Sequence, residues 1–284
     1  MANFKIGVMV DSFRLPIAEG VRKAAELGAN GLQVYVVEGE MHPEALTPAK
    51  RADFRRLVAD CGLEISALCG DLGGHGFQLP QENDWKIRRS QEIVDLAVAL
   101  QAPVVTTHIG VVPADRDAPV FQNQLAVCRI LGEYARERGV AFAIETGPEP
   151  AAVLCTLLDE VGSTGMGVNL DPANLVMVLN EDPVQAVYIL REHIRHTHAK
   201  DGVQLQPCDP VQVYAAFAEG GIAGLNIGEL FNELPLGEGE VDWDSYLAAL
   251  SETGYRGYLT VEREVGANPE ADIAAAVKFL HSRI

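Results

Sequence analysis

Two histidines two positions apart, in the run His196-Thr197-His198-Ala199-Lys200-Asp201, are the residues whose types and spacing point most directly to chemistry. Side chains of an extended strand repeat with period two, so both imidazoles share one face. The apolar run 194–198 ends at His198, with Lys200 and Asp201 in the loop beyond it. Three other apolar runs stop at a carboxylate: Glu145, Asp171 and Glu262. Three carboxylates and one imidazole offer hard oxygens and a borderline nitrogen. That set suits Mn, Mg, Co or Zn, with positions left open for a substrate. Without a cation, the same convergence costs like-charge repulsion or forces proton uptake. Taken singly, each residue has a plainer reading, since Asp171 before Pro172 can start a turn and a lone histidine can be a hydrogen-bonded wall residue.

Four side chains so far apart in the chain meet only if strands deliver them to one end of a common scaffold. The expected strands are 4–10, 31–37, 63–69, 104–107, 140–145, 165–170, 194–198 and 258–262, each short and apolar and each bounded by glycine, proline or a polar cluster. Helical patterns alternate with them at 17–27, 49–61, 84–100, 119–138, 151–161, 184–192, 246–252 and 269–281, with proline or a capping Thr, Asp or Asn at several starts. Eight such repeats with no polar linker predict a closed (β/α)8 TIM barrel occupying 1–284 as one domain, not an open doubly wound sheet. The loop after the first strand, residues 11–16, lacks the glycines of a dinucleotide site. In a barrel every C-terminal strand end opens on the same bowl, so Glu145, Asp171, His198 and Glu262 converge. Between 201 and 243 the pattern loosens to one helix, 210–219, and a loop rich in Gly, Asn and Glu, which reads as a lid or a surface for a partner subunit.

Composition narrows the setting. The 284 residues are 48% hydrophobic, and 22 basic against 40 acidic side chains give a formal charge of -18. Such an excess repels a phosphate backbone, so no nucleic-acid partner is expected. No stretch is long and apolar enough for a membrane span, and the N-terminus lacks the pattern of a secretory signal, so a cytoplasmic protein is expected. The five cysteines have no paired spacing and read as free thiols.

Six motifs carry a more specific likeness: Thr107-His108-Ile109-Gly110, Ile144-Glu145, Asp171-Pro172-Ala173-Asn174, the His196 to Asp201 run, the stretch from Pro235 to Trp243, and Val261-Glu262. Together they resemble the xylose-isomerase-like TIM barrel superfamily of sugar phosphate isomerases and epimerases, which also contains inosose dehydratases, hydroxypyruvate isomerases and zinc-dependent apurinic endonucleases. The resemblance implies that Glu145, Asp171, His198 and Glu262 are the metal ligands. It implies further that Glu145 and Glu262 face each other across a bound sugar, one removing a proton next to a carbonyl and the other returning one. His108 matches a substrate-lining histidine. Asn174 stands where the endonucleases carry a further zinc-binding histidine, which argues against a trinuclear centre and leaves Asn174 as a substrate contact.

Proton abstraction next to a carbonyl needs a base near the carbon and an electrophile on the oxygen, and a divalent ion supplies the second. The expected function is therefore a metal-dependent isomerase or epimerase of carbohydrate metabolism, with manganese among the candidate ions and a small ketose or polyhydroxy carbonyl compound as substrate. Alternatives are an inosose-type dehydratase, an endonuclease-like phosphodiesterase, or a non-enzymatic sugar-binding barrel. Further expected substrate contacts are His75 in the glycine-rich loop 70–77, Lys200, Arg14 and the ring of Phe13. The acidic bowl favours a neutral polyol or ketose over a sugar phosphate. A homodimer or homotetramer is expected.

Overall fold

Runs dense in Val, Ile and Leu need apolar neighbours on both faces, and here eight of them close on one another. The computed structural model describes residues 4–284, so the first three positions of the expected domain lie outside the described residues. The barrel strands are β1 (Lys5–Met9), β2 (Gly31–Tyr35), β3 (Glu64–Cys69), β4 (Val104–Thr107), β5 (Ala141–Glu145), β6 (Met166–Leu170), β7 (Ile194–Ala199) and, after two further strands, β10 (Tyr258–Val261). All are parallel and follow chain order around the ring, which closes where β10 pairs with β1, Lys5 opposite Tyr258.

Helices between the strands form the outer layer: α1 (Ile17–Glu26), α2 (Pro48–Asp60), α3 (Pro80–Leu100), α4 (Pro119–Arg138), α5 (Ala151–Val161), the single turn α6 (Pro172–Asn174), α7 (Pro183–Leu190), α10 (Trp243–Glu252) and α11 (Pro269–His281). A recurrent device starts them. Thr47-Pro48, Asp171-Pro172, Asp182-Pro183 and Asn268-Pro269 each combine a side chain that accepts a first-turn N–H with a proline already set for helix. Helix α3 begins at Pro80, ahead of the expected 84, where a first-turn proline starts it without a capping side chain. Val8, Leu32, Leu68, Val105, Ile144 and Val168 of the strands join Val21, Ile93, Leu131 and Leu154 of the helices in one buried cluster. Each such side chain contributes about 1.5–3 kcal/mol of burial.

Inside the barrel the filling is partly polar. Gln33 Nε2 donates to Thr106 Oγ1 at 2.9 Å, while His196 Nε2 lies 3.0 Å from Gln33 Oε1 and 2.9 Å from Thr260 Oγ1. This layer is sealed from solvent and forms the base on which the bowl rests.

Between β7 and α10 the chain leaves the barrel. Strands β8 (Asp201–Gln204) and β9 (Phe231–Leu234) pair antiparallel, Asp201 opposite Leu234, and carry α8 (Pro210–Glu219) and α9 (Ile227–Leu230) between them. The sequence pattern predicts the helix but not the hairpin. Asp-Gly-Val-Gln and Phe-Asn-Glu-Leu lack the β-branched density of a strand and become one by pairing with each other. Among the described residues no helix is long and apolar enough to cross a membrane.

Candidate active site

Strand ends β5, β6, β7 and β10 each deliver one of the four expected ligands. One ligand atom from each of Glu145, Asp171, His198 and Glu262 lies within 4.8 Å of all the others, and all four residues are buried. His198 is the hub: its Nδ1 is 3.3 Å from Asp171 Oδ2, 3.3 Å from Glu262 Oε2 and 3.6 Å from Glu145 Oε1. Its Nε2 is 3.2 Å from Gln33 Oε1. The Gln33 amide is oriented by its donation to Thr106, so Nε2 donates to Gln33 Oε1, and Nδ1 is the nitrogen that faces the carboxylates and would turn its lone pair to an ion bound among them.

The carboxylates are aimed with equal care. Glu145 accepts from Asn174 Nδ2 at 3.0 Å and from Asn169 Nδ2 at 3.1 Å. Asp171 serves two ends, since its Oδ1 caps the turn through Asn174 N at 3.0 Å while its Oδ2 faces His198. The plainer reading of Asp171 as a turn-starter is thus half of its role. Glu262 accepts from Lys200 Nζ at 3.0 Å. Burial works against the charge on Glu262, but His198 and Lys200 outweigh it and hold the carboxyl well below the usual range. Burial likewise opposes a charge on His198, yet Glu262 and Glu145 raise its affinity for a proton well above normal. Three acids around one imidazole therefore demand a positive charge, and Glu145, Asp171, His198 and Glu262 could hold a divalent cation that would satisfy the set in place of that proton. His196, buried beside His198, is pushed down to about 3 and stays neutral.

Above the ligands opens a cleft with a cavity volume of about 280 Å3, lined among others by Glu145, Glu262, His108, Lys200 and Asn174. Asp171 and His198 lie beneath it. His108 Nδ1 is 3.0 Å from Asp71 Oδ2, and its buried Nε2 has no hydrogen-bond partner, lying 3.8 Å from Glu145 Oε1. Burial disfavours a charged His108, but Glu145 and Asp71 prevail and raise it to about 10. Asn174 borders the cleft, yet its amide is committed to Glu145 and to Thr146 O. Lys200 is ion-paired with Glu262 and Glu264, with Glu233 Oε2 3.9 Å away.

Three expected contacts fall elsewhere. Phe13 ends the 3-10 turn Val10–Phe13, which swings its ring under α1 into the core at 4% exposure. Arg14, in the left-handed conformation, spends its guanidinium on the carbonyls of Glu264 and Gly266. His75 turns its ring outward to Glu219, 3.6 Å away, and the loop's glycines face the cleft instead. One of them, Gly76, has φ +56, and a Cβ there would fall 2.0 Å from the carbonyl carbon of Ile109. Only glycine lets these two loops cross.

The sequence reading omitted Tyr35, Asp71, Tyr214 and Phe217, which line the cleft, and Gln33 and Asn169, which orient the ligands. Tyr214 comes from α8 and stands 5.8 Å from the His108 ring. A signal existed for Gln33 and Asn169: each is an amide in the middle of an otherwise apolar strand, and such a group must find partners inside. Of the other aromatic rings near the strand ends, Phe231 lines the cleft, whereas Phe77 and Trp243 belong to the core. The indole of Trp243 donates to Asp201 Oδ2 at 2.9 Å. That carboxylate also receives Gly202 N, Gly237 N and Val241 N, locking the stretch from Pro235 to Trp243 against the hairpin.

Comparison with known proteins places this geometry in context. A family profile described as xylose isomerase-like TIM barrel matches residues 21–283. An inosose dehydratase of Lacticaseibacillus casei is 29% identical over 157 residues, 53% of this chain and 50% of that protein, so the match spans half the relative's length. A 2-epi-5-epi-valiolone 7-phosphate 2-epimerase of Actinoplanes sp. is 28% identical over 203 residues, covering 65% of this chain and 68% of that one. Among solved structures, a xylose isomerase domain protein from Planctomyces limnophilus superposes with a TM-score of 0.79 at 25% identity, covering 99% of this chain and 96% of the other.

Proposed function

The chain belongs to the xylose isomerase-like TIM barrel family, and on that premise we propose that it is a divalent-metal-dependent isomerase or epimerase acting on a small ketose or polyhydroxy carbonyl compound. The observation that carries this reading is the split within the ligand set. Asp171 and His198 lie beneath the cleft, while Glu145 and Glu262 reach its surface from β5 and from the end of β10. Two buried carboxylates at one cleft are placed to remove a proton next to a carbonyl and to return one. A bound Mn, Mg, Co or Zn would supply the electrophile for the carbonyl oxygen. Asn169 and Asn174 hold Glu145 in place, Lys200 holds Glu262, and the aromatic cover from α8 and β9 excludes water.

A dehydratase reading shares the first proton abstraction and has its own support. His108 Nε2 is a third proton carrier facing the cleft, held from behind by Asp71, and a reaction that expels a β-hydroxyl needs such an acid. The partial likeness to an inosose dehydratase points the same way.

Incubation of manganese-loaded protein with candidate ketoses and inososes in deuterated water tests both. Deuterium is expected on the carbon next to the carbonyl in either case, with an unsaturated product only from a dehydratase. In Glu145→Gln and Glu262→Gln variants exchange is expected to fall by about 10^2–10^4. If the double variant binds manganese and exchanges deuterium as well as the unaltered protein, the assignment is wrong.

A further inference from the structure

Every carbonyl substrate of a site like this brings hydroxyls, but whether it also brings a charge is decided by the cations the cleft leaves free. Of lysines and arginines it leaves none, and its other cation, the His108 imidazolium, is already held by Asp71 through Nδ1. Lys200 is the one Lys or Arg among the residues lining the cleft. Its ammonium is only 3% exposed and lies against Glu262, Glu264 and, at 3.9 Å, Glu233. The nearest guanidiniums are also taken: Arg263 by Glu233 at 2.6 Å and Asp272 at 2.9 Å, and Arg14 by two backbone carbonyls. The lining carboxylates Asp71, Glu145, Glu262 and Glu264, with Asp171 just below, outnumber the Lys200 ammonium and the His108 imidazolium together. Even with a divalent ion on its four ligands, the cleft keeps an excess of negative charge.

We propose that the substrate is uncharged, a free polyhydroxy ketone or aldehyde carrying neither phosphate nor carboxylate, and that the ion-paired state of Lys200 sets this selectivity. The inference rests on the carbonyl-handling reading above and narrows it. Phosphate and carboxylate sites present free arginine forks, lysines or exposed first-turn amides. This cleft presents instead the unpartnered Nε2 of His108, acceptor oxygens of carboxylates, and the rings of Tyr214, Phe217 and Phe231, a surface for hydroxyls and C–H faces. Admitting a dianion would require Lys200 to abandon Glu264 and leave the carboxylate beside the incoming charge. Glu264 is thus a specificity-determining residue, and its side chain, 57% exposed, can be changed without opening the core.

Titration calorimetry of the manganese-loaded protein with 2-keto-myo-inositol, D-fructose and D-fructose 6-phosphate tests the idea, with Glu264→Gln as the informative variant. The expected result is that the tighter of the two neutral probes binds at least about tenfold better than the phosphate. In Glu264→Gln that gap is expected to narrow by about tenfold, one carboxylate's worth of repulsion at close range. Tighter binding of fructose 6-phosphate than of either neutral probe overturns the proposal and leaves the carbonyl-handling site intact. So does a gap that Glu264→Gln leaves unchanged. If no probe binds and none exchanges deuterium, the reading of the site falls and takes the inference with it.

Discussion

The barrel wall and the excursion from 201 to 239 build the same cleft by opposite means. The wall is made of strands whose ends are held from both sides by neighbours, and it supplies the four converging ligands and the buried amides that aim them. The excursion is held at its root by a two-stranded hairpin and the carboxylate of Asp201 and on its underside by Val213 against Met177 and Val178, and it supplies aromatic cover: Tyr214, Phe217 and Phe231. Its outer face is apolar and open, with Val211, Phe217 and Leu205 about half exposed. The wall has the rigidity that a ligand set needs, whereas the cover rests on one apolar patch, where Val213, Tyr214, Leu230 and Phe231 pack on Ala173, Met177 and Val178 after β6.

Breaking the seam should have the largest effect on stability. Asp201 receives four N–H donors, so Asp201→Ala leaves several of them buried without an acceptor and is expected to cost about 2–4 kcal/mol, read as a drop in Tm and as early proteolysis within 205–239. A change confined to the floor sharpens the contrast. Gln33→Leu removes the acceptor behind His198 and is expected to weaken manganese binding about 10–100-fold by calorimetry while the excursion keeps its resistance to protease. An effect seen only in the pH dependence concerns Glu149, in the loop after β5. Burial pushes its carboxyl up to about 8, and its Oε1 has no partner. Its folded-state pKa thus lies above the unfolded value, so the protonated form is favoured and stability falls as pH rises from about 4.5 to 8, by at most about 1.4 kcal/mol per pH unit. Glu149→Gln should flatten that part of the stability profile measured by urea unfolding.

What could be read from the sequence follows the same division. Strand ends were legible because apolar runs stop at a polar residue, and in a parallel barrel that residue has only one direction to face; Asp171 and His198 are cases. Direction beyond the strand end was not legible. Phe13 and Arg14 lie in the loop after β1 as Lys200 lies after β7, but a 3-10 turn rotates the first into the core and a left-handed residue sends the second to the rim. His75 was lost to the same cause, since the glycines around it decide which way the loop turns. Tyr214 was hidden because the position of α8 depends on the β8–β9 pairing, and two four-residue strands of mixed composition carry no local signal of it. Gln33 shows the converse: the strand was legible, but only the fold reveals that its amide and two histidines 163 and 165 positions away share one oxygen.

The hairpin root has one more implication. Leu205 N donates to Leu230 O at 2.8 Å, so the chain departs from and returns to a single point. Everything between those two residues enters and leaves the fold at one place, and what it must still match is the apolar patch of Ala173, Met177 and Val178 that Val213 covers. The aromatic cover of the cleft and the acidic cluster beneath it thus come from separate parts of one chain.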